Sequence, residues 1–367
     1  MPTRASGGAG DLVRISVVVP CFDYERFVGQ ALDSVLTGTR APDELIVVDD
    51  GSTDRSAEVA AAREGVIVVR KANGGMASAV NRGIAESTGD VVVLLDADDL
   101  AAPGRLAWVE EAFADPAVVM AWHPLVIRDE RGGEHGCCPS GHLPGGDLVS
   151  AVLAEGLPSF AVTSGIAVRR SALDAVGPIP DDRFRNFAES YLVRTVPFLG
   201  PVASTQQPLG VYRSHSGSDM RRVDGVDVPA MVAKLDKRLA MADTEHATLV
   251  EAAAAAGHQL LVEDLRAWDD VYLDLHRARA RLRAPSRRAA WREMRAVDAG
   301  NGSTGQLLAA IAYTVAPRSF VVRHQLVRGG EPDVRGLSRA WSIAYWRWVA
   351  LRQALARRRR RSGAPLL

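Results

Sequence analysis

Residues 91–99 read VVVLLDADD, an apolar run that ends in three carboxylates, Asp96, Asp98 and Asp99. Such a run of Val and Leu is typical of a strand buried on both faces, as in a parallel sheet. Carboxylates crowded at one strand end repel each other unless a divalent cation neutralises them. The pattern therefore predicts a site for Mg²⁺ or Mn²⁺, which take oxygen ligands and bridge to diphosphates. An acidic helix start at Asp98 and Asp99 is the simpler alternative.

Short β-branched runs alternate with helical patterns on either side of this stretch. The predicted strands are Ile15–Pro20, Glu44–Asp49, Val66–Arg70 and Val91–Leu95. Between the first two, apolar residues at i, i+3, i+4 and i+7 predict a helix that ends near Gly38. Those residues are Val28, Ala31, Leu32 and Val35. Further helices are expected after Thr53 or Asp54 and from Gly74 to about Thr88. This alternation predicts an α/β fold, with a mostly parallel central sheet flanked by helices.

The pattern weakens after Pro116. Residues 116–158 are rich in turn formers and are expected to be loops over the active edge of the sheet, around a short strand at Val118–Trp122. A strand is predicted at Thr163–Arg169 and a helix near Asn186–Phe198. From Pro229 onward, Ala-, Leu- and Arg-rich segments predict a C-terminal helical appendage. These segments are Met231–Ala242, Thr244–Arg283 and Arg287–Val297.

Charge divides the chain in the same way. Residues 1–229 hold 31 acidic against 20 basic residues, and residues 230–367 hold 13 against 24. We therefore expect a flexible N-terminus (1–13), an acidic α/β domain (14–222) and a helical, basic C-terminal region (229–367). Three cysteines, Cys21, Cys137 and Cys138, are too few for a disulfide framework or a four-ligand zinc site. His123, His135 and His142 lack ligand spacing and are expected to be solvated in loops.

No segment has the pattern of a membrane span. The first ten residues have no apolar signal core, and the uncharged run Ala299–Pro317 is apolar over only about its second half. Any membrane contact is therefore expected to be peripheral, and the scarcity of cysteines fits a reducing cytoplasm. Residues 340–349, AWSIAYWRWV, precede Arg357–Arg361 and have two interpretations: a peripheral helix on the anionic inner face of the membrane, or a helix packed on the acidic domain. No nucleic-acid module accompanies the arginines, so nucleic-acid binding is not expected.

Two further clusters follow strand ends, where parallel α/β sheets bind ligands. In residues 48–54, VDDGSTD, Asp49 can accept hydrogen bonds from a ribose or a base, and a turn with a helix cap is the alternative. Residues 73–83, NGGMASAVNRG, put small residues at a helix start, which lets a nucleotide approach closely. They match neither the GxGxxG of dinucleotide sites nor a P-loop, so NAD binding and ATP hydrolysis are not expected.

In this order the motifs resemble the family 2 glycosyltransferases, inverting, metal-dependent enzymes with the Rossmann-like GT-A fold. Residues 17–23, VVVPCFD, stand where that family has an apolar strand ending in Val-Pro-x-Tyr-Asn, so Asp23 replaces the usual Asn. The motifs that follow are DDGSTD at 49–54, Asn73-x-Gly75, Ala79-x-Asn81-x-Gly83 and LDADD at 95–99. The resemblance is continuous over residues 14–106 and resumes at 163–215.

The resemblance implies a nucleotide-sugar donor, a UDP-sugar in the first instance, bound at the strand ends. The residues it implies for nucleotide-sugar binding are Pro20, Cys21, Phe22, Asp23, Asp49, Asn73, Gly75, Asn81 and Asp96. It implies Asp98 as a ligand of Mn²⁺ or Mg²⁺, joined by His215 of the Tyr-Arg-x-His motif. Ser164, Gly165 and Arg213 then lie on the acceptor side.

The catalytic base of the family is usually the Asp of an Asp-x-x-Leu pattern. Here residues 188–192, AESYL, place Glu189 at that position, so glutamate replaces aspartate. A carboxylate of either length can deprotonate a hydroxyl that it reaches, although the extra methylene moves its oxygens. The alternative is that Glu189 is a helix-surface acid and that another acid of the segment, such as Asp181 or Asp182, is the base.

The sequence thus predicts an inverting transfer of sugar from a nucleotide sugar to a hydroxyl, in glycan, cell-surface polysaccharide or glycoconjugate biosynthesis. The acceptor is a saccharide, a lipid-linked molecule or a small molecule, because the residues that select it are scattered along the chain. The alternative is a non-catalytic sugar-nucleotide-binding or scaffold protein of the same fold. A nucleotidyltransferase is not expected, since Pro20–Arg26 lacks the Gly- and Arg/Lys-rich loop that those enzymes usually carry.

Overall fold

The computed structural model describes residues 13–155, 160–215, 228–263, 265 and 270–297. They fall into two compact units. The first consists of the described residues of Met1–Ser218 with Thr244–Val262, and the second of those of Asp219–Asp243 with Glu263–Leu367. The domain limits at 14, 222 and 229 stay predictions, and the predictions for residues 1–12 and for the tail from 298 onward lie outside the described residues.

Eleven strands belong to the described part of the first unit. In chain order they are β1 (Ile15–Cys21), β2 (Glu44–Asp49), β3 (Val66–Arg70), β4 (Val91–Leu94), β5 (Leu100–Ala101), β6 (Met120–Trp122), β7 (Leu125–Asp129), β8 (Glu134–Cys138), β9 (Ile166–Arg169), β10 (Val202–Ser204) and β11 (Gly210–Ser214). They form a seven-stranded sheet in the order β10-β6-β9-β4-β1-β2-β3 and a four-stranded sheet in the order β5-β11-β7-β8.

The helices alternate with these strands. In chain order they are α1 (Val28–Leu36), α2 (Ser56–Ala61), α3 (Met76–Glu86), α4 (Arg105–Ala112), α5 (Val149–Glu155), α6 (Arg170–Val176), α7 (Ala188–Thr195), α8 (Val228–Ala255), α9 (Asp270–Arg283) and α10 (Arg287–Val297). The predicted fold class, an α/β fold with a mostly parallel central sheet flanked by helices, is confirmed.

Strand β1 is the centre of the large sheet. It pairs in parallel with β2 on one side and β4 on the other, and all seven of its residues are buried. Because side chains alternate along a strand, Val17 and Val19 join the cluster that includes Leu32 of α1, while Val18 faces α3. The crevice between the carboxyl ends of β1 and β4 is the place where open parallel sheets bind ligands.

The sheet is parallel except at β9, which lies antiparallel to both β4 and β6. The region predicted as loops over the active edge, 116–158, contains β6 and the antiparallel pair β7 and β8. The small sheet also includes β11, which pairs in parallel with β7. It places the Tyr212–Ser214 strand beside the acidic turn that follows β4.

The second unit has a helical core. Met231, Leu235 and Leu239 follow one another at four-residue intervals on α8 and pack with Tyr272 and Met294. The helical prediction differs from the structure in its breaks: α8 runs without interruption through Asp243 and ends at Ala255. The break follows at Gly257, whose φ of 82° is accessible to glycine at little cost.

Among the helices that the structure describes, none combines the length and the apolar character that crossing a bilayer requires. The cytoplasmic location and the peripheral membrane contact of the C-terminus stay predictions.

Helix α3 approaches β1 so closely that only glycine fits at position 83. A Cβ there would lie 2.2 Å from Cγ1 of Val18. We expect Gly83→Ala to lower the free energy of unfolding by about 1–3 kcal/mol, because overpacking costs more than the gain in helix propensity. Chemical denaturation of the full chain measures it. Arg82→Ala, at an exposed position on the same helix, is the matched control and should change stability by less than ~0.5 kcal/mol. A Gly83→Ala protein as stable as this control would contradict the packing.

Candidate functional site

The acidic turn after β4 is tied to two distant segments. The backbone N–H of Asp96 donates to the hydroxyl of Ser164 at 2.9 Å, and that serine is fully buried. The backbone N–H of Arg213 donates to Oδ1 of Asp99 at 3.0 Å. The turn is therefore fixed between the stretch that precedes β9 and strand β11.

The carboxylates of this turn are crowded and poorly solvated. Burial, together with repulsion by Asp98 and Asp99, raises the pKa of Asp96 well above its usual range. Burial and the charge of Asp98 raise the pKa of Asp99 to about 7. The Oδ2 atom of Asp99 has no hydrogen-bond partner among the described residues. A positive charge at this turn would relieve the repulsion between the three acids.

Part of that positive charge comes from Arg105, which is 1% exposed. Its Nη2 donates to the carbonyl of Leu94 at 2.7 Å, and burial lowers its pKa to about 10 while the neighbouring acids oppose that change. Arg105 is thus bonded to the last residue of β4, close to the acids of the turn.

Asp98 and His215 lie close together at the acidic turn. Nε2 of His215 lies 3.0 Å from Oδ2 of Asp98, and the two side chains are 5% and 15% exposed, in that order. The imidazole stacks on the ring of Phe27 with 4.4 Å between centroids. One oxygen and one nitrogen donor at this separation fit a divalent cation that takes its other ligands from phosphate and water. Among the described residues, no group of three His, Cys, Asp or Glu side chains could hold an ion by itself.

Arg213 holds this arrangement together. Its Nη1 donates to Oε1 of Gln30 at 2.6 Å and its Nη2 to the carbonyl of Phe27 at 3.2 Å, while its Nε donates to the carbonyl of Asp98. Because these bonds occupy the guanidinium, the structure gives Arg213 a role in joining β11 to α1. Its predicted place on the acceptor side stays untested.

The loop after β1 is bonded to the turn after β2. Asp23 has a φ of 57°, a left-handed conformation that Asn and Asp tolerate better than other side chains. Its carboxylate accepts from the backbone N–H of Thr53 at 2.7 Å, and its own N–H donates to Ser52 Oγ at 3.0 Å. Asp can therefore occupy the position where the related motif has Asn. At the end of β1, Pro20 and Cys21 are buried, whereas Phe22, which follows the strand, is 42% exposed.

Asp49 and Asp50 both point into the protein. Asp49 accepts from the backbone N–H of Ser52 and from Nε of Arg70, each at 3.2 Å. Asp50, which the sequence analysis did not single out, pairs with Nζ of Lys71 at 2.6 Å and accepts from the N–H groups of Gly74 and Gly75 at 2.9 and 2.7 Å. The signal for Asp50 was the acidic pair followed by a lysine just before the two glycines.

The glycine loop is bonded to Arg185 as well. The guanidinium donates to Oδ1 of Asn73 at 2.8 Å and to the carbonyl of Gly74 at 3.0 Å. Gly75 has a φ of 90°, and a Cβ there would lie 2.5 Å from Cγ of Arg185. Asn81 uses both ends of its amide on the backbone of Ile179, at 2.8 and 2.9 Å. The structure thus assigns Asn81 to the support of the 179–187 segment, and its predicted nucleotide contact stays untested.

Glu189 lies in the first turn of α7 and is partly buried. Its Oε2 accepts from Oγ1 of Thr163 at 3.2 Å. Burial raises its pKa to about 7, which is close to the value a general base needs near neutral pH. The charge of Glu189 also contributes to the raised pKa of Asp96. The helix-surface alternative therefore does not describe its environment.

Thr163 and Ser164 join Glu189 to the acidic turn, since Thr163 bonds Glu189 and Ser164 bonds Asp96. Gly165 completes this stretch, because a Cβ at that position would lie 2.4 Å from the carbonyl oxygen of His123. The structure thus brings Asp96, Asp98, His215 and Glu189 to one edge of the sheet. Tyr24, which the sequence analysis missed, lies beside them, and its pKa is raised by burial and by Asp98.

One prediction about the histidines is wrong. His123 is 1% exposed, because it continues the buried strand β6; burial lowers its pKa to about 3, and Nδ1 bonds the carbonyl of Pro124 at 3.0 Å. His135 and His142 are exposed, as predicted, although His135 lies in β8 and not in a loop.

Comparison with known proteins identifies the α/β part of the chain. The model of glycosyl transferase family 2 matches residues 16–177, which hold the acidic turn and the Thr163–Gly165 stretch. These residues form a family 2 glycosyltransferase domain. An uncharacterized glycosyltransferase of Nostoc sp. is 35% identical over 214 residues, which are 56% of this chain and 66% of that protein. The undecaprenyl-phosphate 4-deoxy-4-formamido-L-arabinose transferase of Pectobacterium carotovorum is 36% identical over 97 residues, 24% of this chain and 30% of that enzyme.

The chain therefore spans just under two thirds of the Nostoc protein and less than a third of the Pectobacterium enzyme. Among solved structures, a mannosyltransferase from Pyrobaculum calidifontis in complex with GDP-Man and Mn²⁺ has a TM-score of 0.51 and 18% identity. The match covers 86% of this chain and 84% of that one. At this identity the likeness concerns the fold, which is the GT-A fold.

The buried pair of Asp50 and Lys71 generates a stability prediction. The two side chains are 4% and 17% exposed. We expect Asp50→Ala to lower the free energy of unfolding by about 3 kcal/mol, because it removes the counter-charge of the poorly exposed Lys71 ammonium and the acceptor of two N–H groups. Urea denaturation measures the change. Glu86→Ala removes an exposed i,i+4 pair with Arg82 and should cost at most ~0.5 kcal/mol. Equal losses in the two variants would show that Asp50 does not anchor the glycine loop.

Proposed function

We propose that this chain is an inverting glycosyltransferase that moves a sugar from a nucleotide donor, a UDP-sugar in the first instance, to a hydroxyl acceptor. The observation that carries the proposal is the link through Thr163 and Ser164, which connects the acid Glu189 to the acidic turn at Asp96. A base and a diphosphate site on one edge of the sheet are what a direct displacement requires. The buried surroundings of Glu189 count against a non-catalytic scaffold.

The donor side consists of the loops that follow β1, β2 and β3. Exposed Phe22 and the loop bonded by Asp23 present the first surface to a nucleotide. Gly75, which packs against Arg185, belongs to the loop after β3, whose small residues present a further surface to the nucleotide. Asp49, the last residue of β2, and Asp96, which follows β4, are the acids proposed to bind the nucleoside.

Asp98 and His215 are the residues that would hold Mn²⁺ or Mg²⁺. A bound ion supplies charge neutralisation to the departing diphosphate. The fit rests on the convergence of the two donors at 3.0 Å and on the crowding of carboxylates around them. The mannosyltransferase of the same fold, which carries GDP-Man and Mn²⁺, supports the assignment.

Glu189 acts on the acceptor side. Its carboxylate accepts the proton of the acceptor hydroxyl while Thr163 holds one of its oxygens. Ser164 and Gly165 lie between Glu189 and the proposed donor site. The acceptor is a saccharide, a small molecule or a lipid-linked molecule, and the name of the Pectobacterium relative, an undecaprenyl-phosphate transferase, supports the last. We place the reaction in glycan or polysaccharide biosynthesis, at the cytoplasmic face of the membrane.

The base assignment predicts a defined pH dependence. Glu189 works when deprotonated and its pKa lies at about 7, so kcat/KM should fall about tenfold for each pH unit below that value. Glu189→Gln should lower turnover by about 10²–10⁴-fold and lose this acid limb, while donor binding persists. Release of nucleoside diphosphate from a panel of UDP- and GDP-sugars with Mn²⁺ measures both.

Two variants control this experiment. Glu189→Asp restores the residue usual in the family and should retain more turnover than Glu189→Gln. Asp181→Asn removes an exposed acid of the same segment and should leave turnover unchanged. Near wild-type turnover of Glu189→Gln together with a loss in Asp181→Asn would move the base to Asp181.

The metal assignment makes a separate prediction about binding. In calorimetry, Mn²⁺ should tighten UDP binding to the wild-type chain by at least about tenfold, or ~1.4 kcal/mol, and this gain should vanish in Asp98→Ala. Asp98→Asn should lose most of it, since an amide is a poor ligand for a hard cation. A wild-type chain that binds UDP and transfers sugar equally well in chelator would overturn the assignment.

A further inference from the structure

Helix α7, which carries Glu189, is bonded to a residue far outside the family match. Ser190, next to Glu189, donates from Oγ to Oε1 of Glu245 at 2.7 Å. Nη2 of Arg194, one turn further along α7, pairs with Oε2 of the same carboxylate at 2.8 Å. Glu245 lies on α8, in the stretch Thr244–Val262 that belongs to the first compact unit. The carboxylate of Glu245 thus binds α7 at two residues, Ser190 and Arg194, which are one helical turn apart.

The pair is poorly exposed. The side chains of Arg194 and Glu245 are 9% and 20% exposed. The guanidinium also donates through Nη1 to the carbonyl of Ser190 at 2.9 Å and lies over the ring of Phe160 at 5.2 Å. Arg194 therefore has a fixed orientation. Removal of Glu245 would break the ion pair of a nearly buried guanidinium on the helix that bears Glu189.

A second contact between the same segments provides a contrast. Arg183, which precedes α7, pairs with Glu251 at 3.2 Å, and these side chains are 33% and 63% exposed. Glu251 lies on α8 like Glu245, but its ion-pair partner Arg183 precedes α7 and is not part of that helix. Exposed pairs of this kind contribute little to stability or geometry.

We propose that Glu245 is a positioning residue for the general base: through Ser190 and Arg194 it fixes α7 so that the carboxylate of Glu189 meets the acceptor hydroxyl. The inference rests on the proposed function, in which Glu189 is that base. A carboxylate on a helix end needs such support, because a displacement of ~1 Å at a reacting group can cost about 10²-fold in rate.

The electrostatics of the pair provide a readout that does not depend on a substrate. The charged groups that act on Glu189 from the elements around it are Glu245, Arg194 and Asp96. The charge of Glu245 raises the pKa of Glu189 and that of Arg194 lowers it, so the two oppose each other. When Glu245 is neutralised, it no longer opposes the effect of Arg194, and the pKa of Glu189 falls. When both residues are neutralised, the two opposite effects are lost together, and the pKa of Glu189 returns to its wild-type value.

The first measurement is a pH titration of the full chain labelled at the glutamate δ-carbon, followed by ¹³C NMR, with the Glu189 signal assigned by its loss in Glu189→Gln. The wild-type midpoint is expected at about 7. Glu245→Gln, which preserves size and the bond to Ser190, should lower it by about 1 unit. The double variant Glu245→Gln/Arg194→Gln should return it to the wild-type value, and the control Glu251→Gln should leave it unchanged.

The second measurement is nucleoside diphosphate release from the same sugar-nucleotide panel. Glu245→Gln should lower kcat by about 10–100-fold with the donor KM unchanged, and its acid limb should move to lower pH. Glu251→Gln should match the wild type. Loss of thermal stability in Glu245→Gln with kcat and the midpoint of Glu189 unmoved would overturn the proposal, since Glu245 would then only support the fold.

The two proposals fail in different ways. If Glu189→Gln turns over at the wild-type rate, the base assignment is wrong, and Glu245 has no base to position. If Glu189→Gln is inactive while Glu245→Gln keeps both the wild-type kcat and the wild-type midpoint, the base assignment stands and the role of Glu245 is refuted.

Discussion

The hydrogen bond from the backbone of Asp96 to the hydroxyl of Ser164 joins the two halves of the site. It crosses from the end of β4, in the half of the sheet that we propose binds the nucleotide, to the stretch before β9. The adjacent hydroxyl, on Thr163, bonds Glu189 at 3.2 Å. Because Gly165 packs against the carbonyl of His123, this stretch has little freedom to move. The distance between Glu189, the proposed base, and the acidic turn is therefore set by the three consecutive residues Thr163–Gly165.

The acidic turn itself is costly to bury, and the surrounding structure reflects that cost. Arg105 places its guanidinium next to the turn, where it bonds the carbonyl of Leu94, and the backbone N–H of Arg213 donates to Asp99. The pKa of Asp99 at about 7 shows that these contacts do not fully compensate the burial. Such incomplete compensation is expected at a ligand site, where a cation and its phosphate complete the charge balance.

Local pattern was enough to predict the large sheet. The first four strands combine long β-branched runs with clear helical periodicity between them, so their limits agree with the structure within one or two residues. The small sheet was not predictable in the same way, because β5 has two residues and β8, EHGCC, has no alternation of apolar and polar side chains. The pairing of β5 also depends on a contact across more than a hundred residues, with β11.

The site shows the same division. Asp98 and His215 were predicted together from the motifs, and the structure brings them to 3.0 Å across 117 positions of sequence. The motifs could not show that Asn81 bonds Ile179 or that Asp50 anchors the glycine loop. Nor could they show that the guanidinium of Arg213 bonds Gln30 of α1 and Phe27, which precedes that helix. They also could not reach Glu245, which lies in a helix of ordinary composition. Each of these roles depends on a partner that no short-range pattern identifies.

Anomalous diffraction from crystals grown with Mn²⁺ and UDP tests the central claim most directly, since it locates the ion relative to both halves of the site. The account predicts one strong manganese peak within coordination distance, about 2.0–2.3 Å, of Oδ2 of Asp98 and Nε2 of His215, with the diphosphate completing its ligands on the side that faces Glu189. A peak bound elsewhere, or UDP bound at the Asp96–Asp99 turn with no metal, would contradict it.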